Sequence, residues 1–222
     1  MPIRFTNNKW KIGVWFGIPI YIDITFIFLV VMCMLSTGAF IGGIMFAIGV
    51  AFSIVAHELG HSLTARAFGY PTMSITLSAL GGCAALTSLP KKWWQEFLVA
   101  IAGPFVSLVL GISSFFILDV ITIGFLEQFA FLNISLAIFN LLPGFPMDGG
   151  RVLRSILSWQ LKNRSKATWW AMTVGRWMAV IFGILGFISI ISGIPNGIMM
   201  ILIAWFIWKA GEQEYLASLY GH

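Results

Sequence analysis

Two histidines and a carboxylate, His57, Glu58 and His61, stand inside an apolar run that reads Ala-Phe-Ser-Ile-Val-Ala-His57-Glu58-Leu-Gly-His61-Ser-Leu-Thr-Ala over residues 51 to 65. Ionisable groups at bilayer depth are expensive and mark functional positions. The run therefore dictates a buried helix whose neighbours shield those groups. Around it, 59% of the 222 residues are hydrophobic and 9% charged, with a mean hydropathy of +0.94. Soluble domains carry about a quarter charged residues. The expected fold is thus an all-α polytopic membrane protein, a single integral-membrane domain over residues 1–222, with small membrane-associated β-strands or a hairpin. Cys33 and Cys83 lack C-x-x-C spacing, which argues against a disulfide framework or a thiolate metal site.

Apolar runs predict six transmembrane helices. The first runs from about Ile24 to Thr37, and breaks at Ser36-Thr37-Gly38 and Gly42-Gly43 separate it from a second that ends at Arg66 and Gly69-Tyr70-Pro71. The third follows Lys91, Lys92, Trp93 and Trp94, an interfacial anchor, and reaches about Leu118. It contains Ala102-Gly103-Pro104, where small residues permit close helix contact. Asp119 and Glu127 bracket the next turn, and a fourth helix from about Phe129 leads into Asn140-Leu-Leu-Pro143-Gly-Phe-Pro146-Met-Asp148-Gly149-Gly150-Arg151. Trp169-Trp170 open the fifth, Gly193-Ile-Pro195-Asn196-Gly197 turns it, and the sixth runs from about Ile198 to Trp208 before a short polar tail with Glu212 and Glu214. The catalytic core is placed at about residues 39–160, with helices five and six at about 168–209. Residues 17 to 24 alternate with period two, as a strand at the membrane surface would. Residues 72 to 90 alternate around Gly81-Gly82, which fits a hairpin or a plain connector. Arg4, Lys9 and Lys11 precede the first apolar segment without a small-residue cleavage site, so that segment is expected to be retained.

Six spans place residues 1–23, 66–92, 151–168 and 209–222 on one side. The 13 Lys and Arg lie in or close to those segments, with Arg176 furthest into a helix. The positive-inside rule then makes this side, with both termini, cytoplasmic. The net charge of +5 is a topology signal, and no nucleic-acid role is expected.

On a helix, His57 and His61 lie on one face about 6 Å apart and can close on one zinc ion, with Glu58 one residue round facing a bound water. The competing reading has the histidines bonding helix carbonyls or each other. His57 falls roughly 14 Å from the charged end of its helix at 1.5 Å per residue, nearer the cytoplasmic face. Catalytic zinc takes three protein ligands, so a third is required. His222 is terminal, Glu96 starts the third helix, and Asp119 and Glu127 are on the far side, which leaves Asp148. Two prolines and three glycines between residues 143 and 150 break the helix before it, and broken backbone at membrane depth is tolerated only when buried or lining a wet cavity. The alternative for Asp148 is a cap on the segment continuing from Gly149. Asn140 serves either a substrate carbonyl or helix–helix hydrogen bonding.

His57-Glu58-Leu-Gly-His61, followed about ninety residues on by Asn140-x-x-Pro143-x-x-Pro146-x-Asp148-Gly149, resembles the site-2 protease family of intramembrane zinc metalloproteases, most closely its archaeal and sporulation-type members. The resemblance covers the whole chain in outline. It implies one zinc held by His57, His61 and Asp148, and Glu58 as catalytic base. It further implies that Gly81, Gly82, Asn140, Pro143 and Pro146 help receive an extended transmembrane segment of another membrane protein in the lipid bilayer. Some relatives carry PDZ or CBS domains, and neither fits this length. A divalent-metal transporter would need His or acidic residues along a path to both faces, and a non-catalytic relative would have lost Glu58 or a ligand.

Overall fold

The computed structural model describes residues 9–37, 40–79, 81–118, 124–194 and 197–220. Arg4, Gly38, Asp119, Pro195, Asn196 and His222, used in the reading above, lie outside them. The chain divides into two compact units, one of residues up to 91 with 102–138, the other of residues 92–101 with those from 139 onward.

The first unit is built on a four-stranded sheet in the order β1-β2-β3-β4. Strands β1 (Lys9–Trp15) and β2 (Ile18–Asp23) form an antiparallel hairpin. Its two turn residues, Phe16 and Gly17, both have positive φ, 51° and 79°, as the twist of a two-residue hairpin demands. The Arg66 guanidinium donates to the Phe16 carbonyl at 2.6 Å and fixes that turn. Strand β2 continues into helices α1 (Phe26–Thr37) and α2 (Phe40–Ala67). The chain then returns as β3 (Thr72–Ser78), parallel to β2 with Ile20 opposite Ile75, and turns back as antiparallel β4 (Gly81–Leu86). Strands β1 and β4 are the sheet's edges.

Ile18, Ile20, Ile75 and Leu77 from the central strands pack with Phe26 and Cys33 of α1 and with Ala47, Val50, Ile54 and Leu59 of α2. Gly43, Ala47, Val50, Ile54, His57, His61 and Ala65 are all buried, and their three- and four-residue spacing makes one stripe along α2. The same unit holds the later part of α3 (Trp93–Leu118) and most of α4 (Gly124–Asn140). A Cβ on Gly60 would come 2.7 Å from the Ala102 carbonyl oxygen, and one on Gly111 would come 2.6 Å from Ile134 Cγ1. Small residues thus let α2, α3 and α4 approach closely.

Asp23 ends β2 and is buried; its carboxylate accepts from the Thr25 N–H at 2.9 Å and the Thr25 hydroxyl at 2.8 Å. The Thr25 backbone bond first, then its hydroxyl, holds the carboxyl below the usual carboxylate range. A depressed folded-state pKa contributes stability that is present above the unfolded value near ~3.9 and is lost as pH falls through the folded one. Asp23→Asn is therefore expected to lower the thermal midpoint at pH 7 and to flatten its fall below about pH 4. Parallel melts of parent and variant in detergent check this; equal slopes there would refute it.

The second unit contains the start of α3, a loop at residues 141–147, and helices α5 (Asp148–Leu161), α6 (Arg164–Ile191) and α7 (Gly197–Tyr220). Lys162, left-handed with φ 50°, closes α5, and the Asn163 side chain caps α6 by accepting from the Lys166 N–H at 2.9 Å. Helices α6 and α7 form a close antiparallel pair, in which a Cβ on Gly186 would come 2.8 Å from the Gly197 carbonyl oxygen. Met147, Ala179, Ala204 and Ile207 make the apolar core.

The described residues are mostly helical, and among them three helices are long and apolar enough to cross a membrane, Phe40–Ala67, Trp93–Ile117 and Arg164–Ile191. Among the other described helices, α1 has 12 residues and α4 has 17, short of the ~20 that a span normally takes. Three elements differ from expectation. Strand β1 lies where a basic flank is expected. Helix α5 occupies part of the expected cytoplasmic connector, because Val152, Leu153, Ile156 and Leu157 recur at helical spacing between the arginines. Helix α7 continues through the expected polar tail. The hairpin at residues 72–90 is present, but its two glycines open β4 and do not form the turn.

Candidate metal centre

Helix α2 places His57 and His61 one turn apart on its buried stripe, both 5% exposed. Their Nε2 atoms are 3.1 Å apart and the rings meet edge to face. Two nitrogens bound at 2.0–2.1 Å in a tetrahedral zinc site sit about 3.3 Å apart, so the pair fits one shared ion. The same spacing also allows one ring to donate to the other. His57 Nδ1 lies 2.9 Å from Ser107 Oγ on α3. A Cβ on Gly103 would fall onto the His61 ring, so α3 can lie against the pair only with glycine at this position.

Glu58 follows His57 and is half-buried. Strand β4 runs beside it: a Cβ on Gly82 would lie 2.5 Å from Glu58 Cγ and 2.9 Å from its Oε1. Gly81, at φ 113°, opens the strand in a conformation that favours glycine. His57, Glu58, His61 and Gly82 are thus brought together within the first unit.

Asn140, Pro143, Pro146 and Asp148 follow one another in the second unit. Asn140 is half-buried at the end of α4, and both prolines are exposed. Asp148 is buried and begins α5, with its carboxylate 3.5 Å from Arg151 Nη1. The N-cap is Met147, whose side chain makes no capping bond. Asp148 therefore sits in the first turn, where the helix dipole favours its charge, and is not the cap itself. A Cβ on Gly149 would collide with the Leu141 and Leu142 carbonyls, and one on Gly150 would lie 2.6 Å from the Phe145 nitrogen. The double glycine lets the proline loop fold back over the start of α5.

The loop is held by Arg154, whose guanidinium lies 4.9 Å from the centre of the Phe145 ring. Arg154 Nε donates to Glu96 Oε1 at 2.7 Å, Arg154 also pairs with Glu214 of α7, and Arg164 reaches Glu96 Oε2 at 3.1 Å. Burial alone would push the Arg154 guanidinium down, and Glu96 with Glu214 together hold it above its ordinary value. Sequence reasoning missed Ser107, Arg154 and the role of Glu96. The only linear signal was their polarity in apolar surroundings.

Comparison with known proteins follows the same lines. The family model of peptidase family M50 matches residues 45–124 and 119–182. A putative zinc metalloprotease of Synechocystis is 39% identical over 240 residues, covering 97% of this chain and 62% of that protein. A zinc metalloprotease of Methanocaldococcus jannaschii is 38% identical over 206 residues, covering 89% of this chain and 58% of that protein. The chain thus spans about three fifths of the length of these relatives. The solved structure of the site-2 protease from Methanocaldococcus jannaschii superposes with a TM-score of 0.71 at 33% identity, covering 93% of this chain and 95% of that one.

Proposed function

The chain belongs to peptidase family M50, the site-2 protease family, and on that premise we propose that it is an intramembrane zinc metalloendopeptidase. It cleaves a peptide bond in or near a transmembrane segment of another membrane protein. One observation carries the reading: the two Nε2 atoms stand 3.1 Å apart on α2, with Glu58 next in sequence and against edge strand β4. His57, His61 and Asp148 offer two imidazoles and a carboxylate, the donor types that catalytic zinc takes, and would hold one ion per chain. When bound, zinc supplies Lewis acidity that polarises the scissile carbonyl and makes water a stronger acid.

The chain's own groups do the rest. Glu58 takes a proton from the attacking water and returns it to the leaving amine. The outer edge of β4 pairs with the substrate as an added strand, which keeps the scissile peptide extended. Gly81 and Gly82 leave that edge free of side chains. Asn140 donates to a substrate carbonyl, and Pro143 and Pro146 shape the loop that receives the segment. The chain is a multi-pass protein of the cell membrane and acts as one metalloprotease domain. Its spans number six, its termini are cytoplasmic, and its site lies towards the cytoplasmic half, supported by the distribution of Lys and Arg along the sequence.

Metal content of the purified chain, measured by mass spectrometry for the parent, His57→Ala and Asp148→Ala, tests this. The expected result is near one zinc per parent chain and loss of most of it in both variants, since two ligands alone hold zinc weakly. No zinc in the parent would overturn the proposal. Full retention in Asp148→Ala would return that residue to its place at the start of α5 and move the third ligand elsewhere.

A further inference from the structure

Helices α2 and α3 run antiparallel against each other in a fixed register, with Gly103 facing His61 and Ser107 facing His57. The four-residue step between the histidines is matched by a four-residue step on α3, from a residue with no side chain to one with a hydroxyl. Gly103 admits the His61 ring; Ser107 meets the other ring at Nδ1. Ser107 is fully buried, at 0% exposure, and its hydroxyl lies 2.9 Å from that nitrogen.

A buried hydroxyl in a helix ordinarily donates to the carbonyl one turn back. Ser114 on the same helix does this, to Leu110 at 2.7 Å. The hydroxyl of Ser107 is turned to His57. We infer that Ser107 is a positioning residue for the metal centre: it fixes the orientation of the His57 ring and presents Nε2 as the lone pair. The inference rests on the zinc reading above. A neutral imidazole carries one proton, and if Nδ1–H donates to Ser107 Oγ, Nε2 is left bare for the ion. The hydroxyl also donates as well as accepts. Without metal it holds the ring in the same place by donating to Nδ1, while His57 Nε2–H donates to His61 Nε2. Alanine can do neither, and threonine keeps both capacities.

The test is zinc affinity of the full chain in detergent, by competition with a chromogenic chelator, for the parent, Ser107→Ala and Ser107→Thr, with the thermal midpoint of each metal-free protein taken alongside. Loss of such a partner typically weakens metal binding about 10–100-fold. That weakening is expected for Ser107→Ala in a metal-free protein that still melts cooperatively, and recovery to within about threefold of the parent is expected for Ser107→Thr. Affinity of Ser107→Ala within about twofold of a zinc-binding parent would overturn this inference and leave the zinc reading intact. Equal weakening in both variants would trace the effect to packing and also overturn it. A parent that binds no zinc would overturn the zinc reading and this inference together.

Discussion

Glu58→Gln is expected to keep the full zinc content of the parent and to lower the rate of peptide cleavage by on the order of 10²–10⁴, the usual contribution of a positioned general base. Gln has the size and shape of Glu, so the close passage of β4 at Gly82, which leaves no room for a Cβ, is preserved. His57 and His61 keep their spacing because neither is held by Glu58. What is lost is the ability to take a proton from water and return it to the leaving amine. The measurement is single-turnover cleavage of a labelled single-span membrane protein in proteoliposomes, with metal content determined on the same preparations. A variant within tenfold of the parent rate would remove Glu58 from the base role, whereas loss of zinc in the variant would show a structural part for it. The contrast with His57→Ala, which should lose metal and activity together, separates the proton-transfer role from the ligand role.

The second large effect is expected in stability. Arg154→Met removes the principal partner of Glu96, a carboxylate whose side chain is 2% exposed, and leaves it Arg164 at 3.1 Å. Breaking a buried ion pair on one side costs about 3–5 kcal/mol, because the surviving charge stays desolvated. For a chain of this size that is a fall of roughly 6–20 °C in thermal midpoint. Arg154→Met combined with Glu96→Leu should recover much of it, since replacing both partners by apolar groups is often close to neutral. Thermal unfolding in detergent of the parent, the single variants and the double variant gives the coupling directly. A single variant that melts within a degree or two of the parent would mean that Arg164 and solvent compensate for Arg154. Arg154 also covers Phe145, so the same variant should loosen the loop that leads to Asp148.

The parts of the molecule governed by short-range periodicity could be read from the chain. His57 and His61 are four apart in an apolar run, and the helix that this dictates is α2. The prolines before Asp148 foretold a broken segment, and alternation over residues 72–90 foretold the β3–β4 pair. What escaped depends on partners far away in sequence. Ser107 looks like any small polar residue in an apolar helix until α3 is set against α2, fifty residues apart. Arg154 and Glu96 are separated by 58 positions, and without each other they read as interfacial charges. Glu214 likewise reads as part of a polar tail until its arginine is known. Strand β1 is hidden by its lysines: Lys9 and Lys11 alternate with Trp10 and Ile12, a strand pattern whose charged half reads as a basic flank. Three of its apolar side chains, Trp10, Ile12 and Val14, remain over half exposed, so burial could not have revealed it.

The parallel pairing of β2 with β3 also sets an order of events at the ribosome. Ile20 and Ile75 stand opposite each other, 55 positions apart, and at ~5–20 residues per second that stretch takes about 3–11 s to emerge. The β1–β2 hairpin is therefore made early and waits with one edge open, the condition in which strands recruit wrong neighbours. Helices α1 and α2, which carry the chain to β3, must both be delivered during that interval. A pause or mutation that delays their delivery should first be felt as misassembly of newly made chains, seen as degradation during synthesis, while copies already assembled keep their lifetime.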